Sequence, residues 1–99
     1  MDKEFIVKKL KSSKKKLKED FSISKIGLFG SYSRNTQVKG SDIDIIYELL
    51  EGKKLGFKEI YDLELFFKKL FKIEKIDLVN SEYMNPIIES EMMKSVIYV

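Results

Sequence analysis

No cysteine and no histidine occur anywhere in the chain. The first absence excludes disulfides, thiolate metal sites and a cysteine nucleophile. The second removes the commonest general base and the commonest transition-metal ligand. Tryptophan is also missing, and proline occurs once, at Pro86. Any chemistry must therefore come from carboxylates, hydroxyls, Lys, Arg and backbone groups. Such an oxygen-rich donor set suits Mg²⁺ or Mn²⁺ and not Zn²⁺. Long apolar runs are lacking too. The longest, Ile43 to Leu50, is short and broken by charge, so no membrane span is expected. Without the apolar core of a signal peptide at the N-terminus, the expected compartment is the cytoplasm.

What is present fits a single domain over residues 1–99, 43% apolar and 35% charged. The net charge of +3 is unevenly spread. Residues 1–20 carry eight Lys against Asp2, Glu4, Glu19 and Asp20, whereas the rest of the chain is close to neutral. The basic character belongs to one N-terminal segment.

Periodicity predicts a helix over 2–19, with Ile6, Leu10 and Leu17 on one face. A short buried strand follows over Lys25 to Phe29, then a helical turn over Ser31 to Asn35. Ile43 to Tyr47 reads as a second strand. Phe57 to Lys72 reads as a long helix with Ile60, Leu63, Phe67, Leu70 and Phe71 on one face. Lys75 to Val79 reads as a third strand, and Tyr83 to Met93 as a last helix with Pro86 in its first turn. Val96 to Val99 suits either an edge strand or an extended tail. The expected fold is an α/β (α+β) arrangement in the order α-β-α-β-α-β-α, a three-stranded mixed sheet with helices packed on it.

Three features within this frame carry chemistry. Gly30-Ser31 ends a strand where a glycine allows close approach to the backbone, and the amides that follow attract anions. Alone, this pair reads as an ordinary turn. Asp42 and Asp44 are two apart on a strand and face the same side. Two carboxylates so placed repel unless a cation lies between them. Asp77 is a lone acid in an apolar strand, and it completes a triad if that strand lies beside the second. Taken together, the spaced pattern G-S-x9-S-D-x-D has a chance of roughly one in a million per start position. Arg34 suits either a phosphate contact or an anchor to a nearby acid.

At these residues the chain resembles the minimal nucleotidyltransferases of the DNA polymerase beta-like nucleotidyltransferase superfamily. The resemblance rests on Ile26-Gly27-Leu28-Phe29-Gly30-Ser31-Tyr32, on Ser41-Asp42-Ile43-Asp44 and on Lys75-Ile76-Asp77-Leu78-Val79. One departure is Asn35, where many relatives have Gly. Asn tolerates positive φ better than most residues, so the turn can survive. The resemblance implies transfer of a nucleoside monophosphate, AMP from ATP, to a hydroxyl acceptor. It implies Gly30, Ser31 and Arg34 on the phosphates, and Asp42, Asp44 and Asp77 as metal-binding catalytic carboxylates. It further implies a HEPN-domain toxin as partner, modified on a tyrosine, with this chain as antitoxin. Two other readings stand beside it: an inactive antitoxin that acts by contact alone, and a nucleic-acid-binding module built on the Lys-rich first helix. The domain has no evident second lobe to enclose a base, so nucleotide specificity is expected either to be weak or to depend on a partner or on self-association.

Overall fold

A computed structural model describes all of residues 1–99. Helix α1 spans Lys3–Phe21, followed by strands β1 (Ile23–Phe29) and β2 (Ile43–Leu49). Helix α2 (Phe57–Phe71) leads into β3 (Ile76–Asn80), a short 3₁₀ turn (Ser81–Tyr83), α3 (Pro86–Met93) and β4 (Ile97–Tyr98). Asp2 caps α1 by accepting a hydrogen bond from the Phe5 amide (2.9 Å), and Ser22 ends it in the left-handed conformation. The buried stripe of α1 is Ile6, Leu10, Ser13 and Leu17, at helical spacing.

The sheet order is β3-β2-β1-β4. β1 and β2 run antiparallel, β2 and β3 parallel, and β4 antiparallel to β1. The parallel pair requires a crossover, which α2 supplies. One face of the sheet, carrying Ile26, Leu28, Ile43, Ile45 and Tyr47, packs on Ile6, Leu10 and Leu17 of α1 and on Leu63, Phe67 and Phe71 of α2. These side chains form the hydrophobic core. Strand alternation sends Asp44 and Asp77 to the other face. The core thus fixes the strands from behind and leaves the acidic row accessible.

Three sequence expectations change in detail. The sheet has four strands, because Tyr98 and Ile97 pair with Gly27 and Leu28, and the Val99 amide donates to the Ile26 carbonyl (3.0 Å). The segment from Ser31 to Asn35 forms the expected single helical turn, with the Ser33 and Arg34 amides donating to the Gly30 carbonyl. Gly30 (φ 76°) and Asn35 (φ 58°) are both left-handed, which folds the chain back at each end. The last helix starts at Pro86 and not at Tyr83. Proline biases the residue before it away from the helical region, and the Asn85 side chain caps the Ile87 amide instead (2.9 Å). Ile60 is also more exposed than its helical position predicted.

Candidate functional site

The site is assembled by register. Across β1 and β2, Phe29 pairs with Asp44; across β2 and β3, Asp44 pairs with Asp77. Asp44 thus stands in the middle of a row with Asp77 directly beside it. Asp42 lies two residues earlier, exposed, just before β2 begins. The three carboxylates do not converge into a ready-made ion cage; Asp44 and Asp77 are the closely facing members.

Gly30 closes the other side. A Cβ built on it would run into the Asp44 carboxylate, and its φ of 76° is one that L side chains rarely adopt. The turn that follows is held tightly. The Gly30 carbonyl accepts hydrogen bonds from the Ser33 hydroxyl (2.8 Å) and from the amides of Ser33 (3.2 Å) and Arg34 (3.3 Å). Tyr32 is buried and packs into the core, which pins the turn from behind. The amides of Ser31 and Tyr32 are left without an intramolecular acceptor. Unpaired N–H groups at a glycine turn form an anion-binding concavity.

The electrostatics match this geometry. Asp44 is raised from 3.8 to about 6. Burial is the leading cause, followed by the facing Asp77, which acts by its charge and as acceptor for a shared proton; Asp42 adds to the effect, and Arg34 pulls the other way. Arg34 is therefore close enough to be felt at Asp44. It is exposed and makes no ion pair, so the structure does not use it as an anchor.

An acid whose folded pKa is raised favours the fold when protonated. Its cost to stability is absent below about 3.8, grows between 3.8 and about 6, and is complete above that. Asp77→Asn removes a main cause. The expected outcome is an Asp44 pKa that drops back toward its ordinary value, read by ¹³C-carboxyl NMR titration. The stability difference between variant and wild type should then grow from pH 4 to pH 6 in favour of the variant. An Asp44 titration that is unmoved by the substitution would contradict the facing pair.

Sequence reasoning missed Lys75. Extending the β2–β3 register puts it beside Asp42, and both line a hollow of about 390 Å³ with Tyr32 and Ser41. Its spacing of two from Asp77 was the available signal, because residues two apart on a strand share a face. It adds a positive charge at an otherwise acidic corner.

All of the carboxylate, glycine and serine positions named from the sequence lie on or beside this one strand end. The donors are hard oxygens, which fit Mg²⁺. No helix is long and apolar enough to cross a membrane.

Comparison with known proteins agrees with this arrangement. Residues 10–99 match the nucleotidyltransferase domain family. A Methanocaldococcus jannaschii protein, named provisionally as a protein adenylyltransferase, is 38% identical over 91 residues, covering 91% of this chain and 90% of its own. Protein adenylyltransferase MntA of Thermococcus cleftensis is 32% identical over 90 residues, covering 91% of this chain and 88% of its own. Among solved structures, a protein described as a minimal nucleotidyltransferase superposes with a TM-score of 0.79 at 20% identity, over 98% of this chain and 95% of that one. A toxin–antitoxin crystallised with AMP-PNP gives 0.69 at 22% identity, over 99% and 72%. A tri-AMPylated Shewanella oneidensis HEPN toxin in complex with an MNT antitoxin gives 0.64 at 20% identity, over 91% and 67%. These structural likenesses establish the minimal nucleotidyltransferase fold. The family match covers most of the chain, and this chain belongs to the nucleotidyltransferase domain family, with MntA-like protein adenylyltransferases as relatives.

Proposed function

We propose that this nucleotidyltransferase transfers AMP from ATP to a tyrosine hydroxyl of a HEPN-domain partner and so acts as an antitoxin. The observation that carries the reading is the Asp44–Asp77 pair with Gly30 turned against it. The relatives supply the chemical direction: one is named a protein adenylyltransferase, and two structural neighbours are a toxin–antitoxin with AMP-PNP and an AMPylated HEPN toxin with its antitoxin. Tyr83, Ile87 and Ile88 are exposed at and near α3, giving apolar surface of the kind a partner protein covers.

In this mechanism the Ser31 and Tyr32 amides, the Ser31 hydroxyl and Arg34 hold the β- and γ-phosphates. Asp42, Asp44 and Asp77 would hold Mg²⁺, which when bound neutralises triphosphate charge and makes the acceptor hydroxyl more acidic. The acceptor oxygen attacks the α-phosphorus, the bond to the β-phosphate oxygen breaks, and pyrophosphate leaves. The hydroxyl proton leaves to water, and the negative charge of Asp77 beside the acceptor lowers the barrier to its loss. Without a cation, burial and the facing Asp77 push Asp44 up to about 6, and a cation held between the two carboxylates would relieve that repulsion. The rest of the catalysis is positioning.

The test is label transfer from α-³²P-ATP with Mg²⁺ to a purified HEPN-domain partner, followed by mass spectrometry of the labelled band. The expected result is an AMP adduct on tyrosine. An unlabelled partner that is nevertheless neutralised would replace this reading with contact inhibition.

A further inference from the structure

The helix-covered side of the molecule carries a feature that nucleotidyl transfer does not use. Lys8, Lys11, Lys14, Lys15 and Lys18 are all exposed on α1. Their spacing places them within roughly a third of the helix circumference. Glu4 is the one acid within that sector, and Glu19 lies at its border. None of the five is in an ion pair. The helix's acid-paired lysine, Lys16 with Asp20, lies on another side, as does Lys9 over the Phe5 ring.

Like charges three and four apart on a helix repel, and Lys11, Lys14, Lys15 and Lys18 form four such pairs; Glu4 is spaced to offset Lys8, and Glu19 to offset Lys15. Two shallow hollows flank the stripe where α1 meets β1 and β4. Lys14, Lys15 and Lys18 line a hollow of about 370 Å³ with Lys25 of β1 and no acid. Lys8 and Lys11 line another, of about 450 Å³, with Lys3, the single acid Glu4 and Ile97 of β4.

We propose that this lysine stripe of α1 is a binding surface for the phosphodiester backbone of a nucleic-acid strand. From Lys8 to Lys18 the stripe runs about 15 Å. A stacked strand presents a phosphate about every 3.4 Å, so four or so phosphates lie along that length. Cation number and run length therefore match a linear polyanion. A lipid surface is a poor fit, because the apolar residues of α1 (Ile6, Leu10 and Leu17) are buried in the core and cannot insert. The five lysines have no aromatic among them, so recognition is of backbone and not of sequence. The surface lies across the sheet from Asp44 and Asp77, so it and the transfer site can be occupied together.

The experiment is fluorescence anisotropy of labelled U20 and A20 RNA and a 20-base-pair DNA duplex, from 50 to 200 mM KCl. U20 and A20 should bind within about threefold of each other. The salt slope for RNA should be near −3, about −0.7 per contacted phosphate. Lys8→Gln/Lys11→Gln/Lys15→Gln/Lys18→Gln should weaken binding at least tenfold and flatten the slope. The milder Lys11→Gln/Lys15→Gln should lose part of the affinity and guards against misfolding of the first. Lys58→Gln/Lys68→Gln on α2 should change nothing. Absence of binding at 50 mM KCl, full affinity in the stripe variants, or capture of acidic proteins alone would each overturn the proposal. Because the readout is binding, it stands or falls apart from adenylyl transfer.

Discussion

Asp42→Asn/Asp44→Asn is expected to reduce transfer by on the order of 10³-fold or more while leaving the protein at least as stable as wild type. Both halves follow from one arrangement. Asp44 sits beside Asp77 on the parallel β2–β3 register, and its carboxyl is pushed up to about 6 by burial and by that neighbour. At neutral pH the wild type keeps two negative groups together with nothing in the protein between them. An amide at position 44 removes that repulsion. A shift of this size is worth at most about 3 kcal/mol. Partial exposure screens it, so a gain of about 1 kcal/mol is the realistic expectation. The same change removes hard oxygen donors from the position where metal and triphosphate are expected. Transfer rates measured beside thermal unfolding at pH 7 check both halves. A variant that loses activity only because it unfolds would contradict the account.

Gly30→Ala is the second large effect, and it separates geometry from chemistry because it removes no functional group. The new methyl enters a backbone position with φ of 76° and runs into the end of the Asp44 side chain. The left-handed conformation costs about 1–2 kcal/mol for a non-glycine residue. The clash is relieved by swinging Asp44 aside, since its carboxylate is the mobile partner. Stability should therefore fall by about 1–3 kcal/mol. Activity should fall further, by about 10² or more, because an ångström of misplacement at a reacting centre costs that much. Urea denaturation and single-turnover transfer give the two numbers. Activity within about threefold of wild type would show that Asp44 does not need the space Gly30 leaves.

The candidate residues could be picked out without coordinates for a simple reason. Gly30-Ser31 and Asp42-x-Asp44 are local patterns, and strand alternation alone puts the two aspartates on one face. The absence of His and Cys limited any metal ligands to hard oxygens before any fold was known. The helices α1 and α2 were equally legible, because long amphipathic periods are set within the segment itself. Element ends and short pieces were less so. β4 depends on pairing with a strand nearly seventy residues earlier in the chain.

What the sequence by itself determined is the set of groups able to do the chemistry and their placement along each strand. Only the tertiary structure decided which groups meet. The parallel register sets Asp77 against Asp44 and brings Lys75 to Asp42, and the antiparallel one brings Gly30 against the Asp44 carboxylate. Arg34 comes close enough to be felt there only because the turn folds back over buried Tyr32. These are contacts between residues far apart in sequence. Their geometry comes from strand pairing over a core packed by α1 and α2, and no local pattern carries that information.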